Sequence, residues 1–155
     1  MATTDNASIL HAPLTWHLLT RLRSALCEMN DDEFNEYLIE NGAFQTDRVY
    51  ELVSSAETGI PLDSVEGRDL ADGSNCKLSG AYSPTNGRKS SWGWTIKVAN
   101  CTGDVRAIVY HPIRKKVYEG FIPWSAHKSQ RYLAVTDGVN GTFGRFTPYF
   151  KEVNS

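Results

Sequence analysis

The stretch from Glu66 to Lys77 reads EGRDLADGSNCK and places three carboxylates and one lysine within twelve residues. Gly, Ser, Asp and Asn favour tight turns, so the pattern predicts a strand, a turn and a second strand. Like charges held close together repel, and a fold accommodates Glu66, Asp69 and Asp72 when a cation lies among them or water screens them. The stretch therefore indicates either a site for a hard divalent ion such as Mg²⁺ or a solvated acidic turn.

The residues after the turn have the alternation of a strand. Because side chains alternate with period two, Asn75 and Lys77 are expected to face one site while Cys76 faces the core. A lysine beside metal-binding carboxylates suits metal-assisted hydrolysis of a phosphodiester, since it can stabilise the charge that develops on the phosphoryl oxygens.

This segment resembles the active-site hairpin of the PD-(D/E)XK nuclease superfamily, in which an Asp near one strand end is followed by a D/E-X-K triplet on the next strand. Asp69 matches the first acid, and Asn75-Cys76-Lys77 matches the triplet. The chain departs from the family at Asn75, where an acid is usual, and Asp72 is the candidate for the missing carboxylate. The compact spacing resembles that of the strand-nicking endonuclease of mismatch repair, and the strands that follow resemble small phage and bacterial members.

The resemblance implies a DNA endonuclease that depends on Mg²⁺ or Mn²⁺ and has a restriction-endonuclease-like core. Lys77 would orient the attacking water, and Asn75 would contribute a neutral oxygen. The metal ligands that the resemblance implies are Asp69, Asp72, Asn75, the main-chain carbonyl of Cys76, and Glu66. A small domain has little surface with which to contact both strands of a duplex, so a symmetric homodimer is expected.

Charge is distributed unequally along the chain. Residues 1–76 hold four basic and 14 acidic residues, and residues 77–155 hold 12 basic and four acidic ones, so the halves carry net charges of -10 and +8. Such asymmetry indicates a polyanion-binding face, although a solvated surface that neutralises the acidic helices is the alternative. The candidate phosphate contacts are Arg88, Lys89, Arg114, Lys115, Lys116, Lys128 and Arg131.

Composition favours one globular domain spanning residues 1–155, because the chain is 41% hydrophobic and 22% charged. Its three cysteines lack zinc-site spacing and predict no disulfide framework. The sequence shows no signal-peptide pattern and no apolar run long enough for a membrane span, which favours a cytoplasmic protein. His111 and His127 are candidates for a base or ligand, but neither lies in a recognisable ligand spacing.

Periodicity divides the chain into a helical part, 1–59, and a β-rich part, 60–155. Pro13 is expected to open a first helix, Asn30 to cap a second with Glu33, and Thr46 to cap a third that ends at Gly59. Strands are expected around 92–98, 105–110 and 117–122 as an antiparallel meander, and two more in the tail.

The sequence therefore predicts an α+β domain whose N-terminal helices pack on a mainly antiparallel sheet. Two functions other than catalysis stay open. One is a nucleic-acid-binding or protein-interaction module, which Asn75 favours. The other is an inhibitor or accessory protein whose acidic helices meet a basic partner.

Overall fold

A computed structural model describes residues 6–63, 69–78, 82–84, 92–111, 114–137 and 144–153. The described chain is α+β, as predicted. Its helices are α1 (Asn6–Ala25), α2 (Asp31–Glu40), α3 (Thr46–Thr58) and α4 (Trp124–His127), with a 3₁₀ helix at Gly144–Tyr149. Its strands are β1 (Asn75–Leu78), β2 (Tyr82–Pro84), β3 (Trp92–Lys97), β4 (Val105–His111), β5 (Lys116–Ile122), β6 (Tyr132–Asp137) and β7 (Phe150–Val153).

Local capping determines where α2 and α3 begin and end. The Asn30 side chain accepts a hydrogen bond from the Glu33 N–H at 2.8 Å, and the Glu33 carboxylate accepts one from the Asn30 N–H at 3.0 Å. This reciprocal pair is the predicted capping box. Helix α3 ends at Gly59, whose φ of 77° is the left-handed conformation that glycine adopts without strain.

Two predicted helix starts were wrong. Pro13 lies inside α1, because the helix already begins at Asn6, and a proline at this position cannot donate the main-chain hydrogen bond of a regular helical residue. The N-cap of α3 is Gln45 rather than Thr46, which is the first helical residue. The Thr46 hydroxyl is instead hydrogen-bonded to the hydroxyl of Thr15 at 2.6 Å, which ties α3 to α1.

The strands form two sheets. The larger one has the order β1-β4-β5-β7, with β1 parallel to β4 and the other pairs antiparallel. The smaller one has the order β2-β3-β6 and is antiparallel. The expectation of a mainly antiparallel arrangement is met, since four of the five strand pairs are antiparallel.

The alternation of β4 divides the interior into two cores. Ile108 faces the helices and joins a cluster with Leu14, Leu18, Leu22 and the apolar face of α3. The alternate residues of β4 face the smaller sheet and pack with its buried side chains, among them Trp94, Ile96, Leu133 and Val135. Each fully buried large apolar side chain contributes about 1.5–3 kcal/mol through removal from water. The four-stranded sheet is thus a middle layer between helices and the second sheet.

The predicted meander was wrong at one connection. Strands β3 and β4 do not pair; the chain leaves the smaller sheet after β3 and enters the larger one at Val105. Val98 and Cys101 are buried in the core between the sheets, so this connection is anchored by apolar side chains. The β4–β5 pair and the end of β5 at Pro123 agree with the prediction.

Candidate metal centre

The acidic turn from Asp69 to Ser74 is closed by its own side chains. Asp72 Oδ1 accepts hydrogen bonds from the Ser74 N–H at 2.9 Å and from the Ser74 hydroxyl at 2.5 Å. These bonds hold the pKa of the Asp72 carboxyl below its usual value. Gly73 supports the turn with a φ of 89°. Asp72 is therefore a capping residue of the turn.

Asp69 lies at the outer edge of β1. The Asn75 N–H points inward to the Asp104 carbonyl at 2.9 Å, whereas the Cys76 N–H points outward and donates to Asp69 Oδ2 at 2.7 Å. In a parallel strand the N–H and C=O of one residue point to the same side, and those of the next residue point to the other side. The Cys76 carbonyl therefore faces the outer edge, as its N–H does. An Asp carboxylate and a main-chain carbonyl thus share this edge.

The first strand of the predicted hairpin falls largely on residues 64–68, which lie outside the described part of the chain. Before the turn the described residues make an isolated bridge between Leu62 and Leu70, and β1 pairs in parallel with β4. The side chain of Asp69 takes up the outward N–H of Cys76, which a neighbouring strand would otherwise bind.

A second carboxylate approaches Asp69 from α3. Burial raises the pKa of Glu51, and the negative charge of Asp69 raises it further, while the hydrogen bond from Arg48 at 2.9 Å acts in the opposite direction. Sequence reasoning missed Glu51. The available signal was its position between the buried Tyr50 and Leu52 on a helix that packs on β1.

The triplet residues take the two faces that alternation predicts. Cys76 is buried in the helix-side core, and burial raises the pKa of its thiol to about 12. Lys77 lies on the opposite face. Its charge lowers the pKa of the Cys101 thiol, whereas burial, first, and the charge of Asp69 raise it. Glu51 therefore repels Asp69, and the charges of Lys77 and Asp69 both act on Cys101.

Asn75 is buried beside the turn. Its exposure is 3%, and its Nδ2 has no hydrogen-bond partner among the described residues. It shares its face with Lys77 and opposes Val105 in register. A buried amide without a hydrogen-bond partner lowers the stability of the fold. A bound ligand or water can supply the missing partner.

The turn rests against the loop that precedes β4. A Cβ on Gly103 would lie 2.9 Å from the carbonyl carbon of Gly73, so only glycine allows this approach. The Gly103 carbonyl in turn accepts a hydrogen bond from His127 Nε2 at 2.8 Å. His111 is likewise held, since its Nδ1 accepts from the Arg114 N–H at 3.1 Å. Both buried histidines therefore support loops at the ends of β4.

The predicted basic residues separate into two groups. Lys128 and Arg131 are exposed at the end of the sheet that carries the acidic turn, next to α4, whereas Arg114, Lys115 and Lys116 lie on the turn at the opposite end of β4. Seven residues of strand separate these ends by about 20 Å. Lys116 is paired with Glu152 at 2.7 Å. Glu66, Arg88 and Lys89 lie outside the described residues.

The described residues fit a divalent ion incompletely. Asp69 and Glu51 offer two carboxylates that repel each other, and the outward carbonyl of Cys76 offers a third oxygen of the type that Mg²⁺ prefers. Within the described ranges no cluster of three or more His, Cys, Asp or Glu side chains is arranged to hold a metal. Any such ion would therefore be held by few protein ligands, with water and substrate oxygens as the others.

The chain matches no known family model, and neither a curated protein nor a solved structure matches it. Among the described helices, none combines the length and the apolar character needed to cross a bilayer.

Proposed function

We propose that this protein is a divalent-metal-dependent DNA endonuclease with a restriction-endonuclease-like core. One observation carries the proposal: the Asp69 carboxylate is fixed on the Cys76 N–H at the edge of β1 that faces away from β4, and the carboxylate of Glu51 is near enough for the two charges to repel. Asp69, Glu51 and the Cys76 carbonyl would hold the ion, with Mn²⁺ as an alternative to Mg²⁺. The bound ion would supply polarisation of a phosphate oxygen and activation of water.

Each side chain has a separate role in this proposal. Asp69 is oriented by the Cys76 N–H, so its carboxylate is fixed before any ligand arrives. Lys77 supplies a positive charge that stabilises the phosphate oxygens as charge develops on them. Asp72 would bind the ion only through Oδ2, because its Oδ1 accepts two hydrogen bonds from Ser74. Asp72 holds the turn from which Asp69 projects.

The DNA would approach the end of the sheet that carries the turn. Lys128 and Arg131 are exposed there, and Trp124, which is 41% exposed, offers an aromatic surface beside them. Positive side chains bind the phosphate backbone, and an exposed indole can stack on an unpaired base. The free thiols of all three cysteines support a reducing, cytoplasmic location. A homodimer would provide the surface needed to contact both strands.

Cleavage of plasmid and single-stranded DNA in Mg²⁺, Mn²⁺ or EDTA tests the proposal. Asp69→Asn keeps an acceptor for the Cys76 N–H but removes the charge, and we expect it to abolish cleavage without lowering the melting temperature. Glu51→Gln should also abolish cleavage, whereas the matched control Asp47→Asn, an exposed acid of the same helix, should not. Lys77→Gln should reduce the rate by about 10²–10³. Full activity in Asp69→Asn would overturn the assignment.

A second candidate is a DNA-binding module without catalysis. Asn75 favours it, because the neutral amide removes the usual acid of the triplet. In this case DNA binding would fall with log salt at about -0.9 per phosphate contacted, and no cleavage would occur with either metal. Lys128→Gln with Arg131→Gln should flatten the slope more than Arg114→Gln with Lys116→Gln. Metal-dependent cleavage by the wild type, lost in Asp69→Asn, would exclude this candidate.

A further inference from the structure

A cavity lies on the helix side of the molecule, at the end of the four-stranded sheet away from Asp69. It has a volume of about 950 Å³ between α1, α3 and the β4–β5 turn. Volumes of roughly 300–1,000 Å³ are typical of sites for small molecules. The side chains that carry the argument are Trp16, His17, Arg21, Glu57 and Lys115. None of the described residues of the Asp69 turn lines this cavity.

His17 gives the cavity an unsatisfied polar group. The side chain lines the cavity and is 5% exposed, yet neither ring nitrogen has a hydrogen-bond partner among the described residues. Burial, and then the charge of Arg21, lowers the pKa of His17, so the imidazole is neutral at pH 7 and presents one donor and one acceptor. Buried polar atoms in folded proteins almost always have partners, so a ligand that pairs with His17 would remove a cost.

The charges around His17 are fixed. Arg21 donates to both oxygens of Glu57 at 3.0 and 2.7 Å and to Glu119 at 3.2 Å, so its charge is compensated by two carboxylates. Lys115 makes no salt bridge among the described residues, in contrast to Lys116 beside it. Lys115 also has a φ of 54°, a left-handed conformation that is uncommon for a residue other than glycine. Among the charged side chains that line the cavity, Arg21 and Glu57 are paired with each other, and Lys115 is the one without a salt bridge to a described residue.

Trp16 supplies an aromatic surface at the same cavity. Its side chain is 75% exposed, although it lies one residue from the buried His17 and belongs to a helix with a well-packed apolar face. An exposed indole presents a large flat surface on which a planar ring can stack. The cavity thus combines the aromatic surface of Trp16, the buried donor and acceptor of His17, and the positively charged side chain of Lys115.

We propose that this cavity binds a small aromatic acid. The ring stacks on Trp16, a polar atom of the ring or of a substituent pairs with His17, and the acidic group binds Lys115. This site is independent of the proposed nuclease activity. A carboxylate and a phosphate monoester share this chemistry, so an aromatic carboxylate and a nucleoside monophosphate are the two sources to distinguish.

The test is a titration of the full chain followed by amide NMR and calorimetry. The probes are 1-naphthoate, 1-naphthyl phosphate and adenosine monophosphate, with 1-naphthamide and 1-naphthylmethylamine as neutral and cationic controls. We expect saturable shifts at Trp16 and His17 with the anions, and binding of the controls at least tenfold weaker. Tighter binding of adenosine monophosphate than of naphthoate assigns the nucleotide class, and the reverse assigns the carboxylate class.

Three substitutions test the residues. Lys115→Gln should weaken anion binding about tenfold, the value of one charge-assisted hydrogen bond, whereas the matched control Lys116→Gln should change it less than twofold. His17→Phe should abolish binding. His17→Gln, which keeps a donor and an acceptor, should retain most of it, and this variant is the test if His17→Phe does not fold. Equal affinity for naphthoate and naphthamide, equal effects of the two lysine substitutions, or no saturable shift with any anion up to 10 mM would overturn the proposal.

Discussion

Replacing Tyr50 by Phe should lower the free energy of unfolding by about 2 kcal/mol, because it removes a hydrogen bond to a buried carboxylate. The Tyr50 hydroxyl donates to Glu119 Oε2 at 2.7 Å, and both side chains are buried. Hydrogen bonds to charged groups contribute roughly 1.5–3 kcal/mol. The lower half of that range applies here, since Glu119 keeps its contacts with Arg21 at 3.2 and 3.4 Å. Phe keeps the packing of the ring, so no large cavity forms.

Urea unfolding followed by circular dichroism measures this effect. For a chain of this length about 2 kcal/mol corresponds to a fall of roughly 4–8 °C in melting temperature. Tyr132→Phe is the matched control, because that side chain is 54% exposed and its change should stay within about 0.5 kcal/mol. A double-mutant cycle with Glu119→Gln should give a coupling energy of about 0.5–3 kcal/mol. A loss below 0.5 kcal/mol in Tyr50→Phe, or strict additivity in the cycle, would refute the reasoning.

The same bond has a pH dependence. Burial, and then the charge of Glu119, raises the pKa of Tyr50 well above 10.0. The folded state therefore keeps the hydroxyl protonated at a pH where tyrosine in the unfolded chain ionises, at about 10. The stabilisation is fully present below that pH and is lost as pH rises above it. The free energy of unfolding of Tyr50→Phe should accordingly fall less than that of the wild type as pH rises above 10.

Three further outcomes are expected. Asn75→Asp buries a carboxylate, so it should lower the melting temperature without metal. Mg²⁺ should raise the melting temperature of this variant more than that of the wild type, and an equal rise in both proteins would show that residue 75 does not contact the ion. Gly103→Ala should destabilise the protein by more than 2 kcal/mol, because its Cβ would overlap the Gly73 carbonyl, and an unchanged urea midpoint would contradict that close approach. Maleimide should label the exposed Cys27 rapidly at pH 8, whereas Cys76, whose pKa is about 12, should resist labelling up to pH 10. Cys27→Ser should remove the fast phase of labelling. A fast phase that persists in this variant would show that a buried thiol is accessible.

Features with local causes could be predicted from the sequence. The capping box of Asn30 and Glu33 and the helix end at Gly59 depend on residues within one turn, and both were predicted correctly. The division into an N-terminal helical part and a β-rich part follows from periodicity. The alternation of β1 also held, with Cys76 in the core and Lys77 on the other face.

Long-range pairings could not be predicted. The parallel partner of β1 is 30 residues away in register, and the spacing of acids around the turn contains no signal for it. Glu51 approaches Asp69 only because α3 packs on β1, so a motif of consecutive residues does not include it. Asp72 was proposed as the carboxylate that the motif lacks at Asn75, and the bond that its Oδ1 accepts from Ser74 is a local interaction typical of Asp in turns.

The pairing of β1 with β4 also determines when the acidic turn gains its outer support during synthesis. The bonds within the turn, from Ser74 to Asp72 and from Cys76 to Asp69, join residues of one short segment. The Asn75 N–H binds the Asp104 carbonyl, and Gly73 packs on Gly103, so the remaining support comes from residues made about 30 positions later. A nascent chain that stops before Gly103 would therefore contain every acid of the motif without the strand that holds β1 in place.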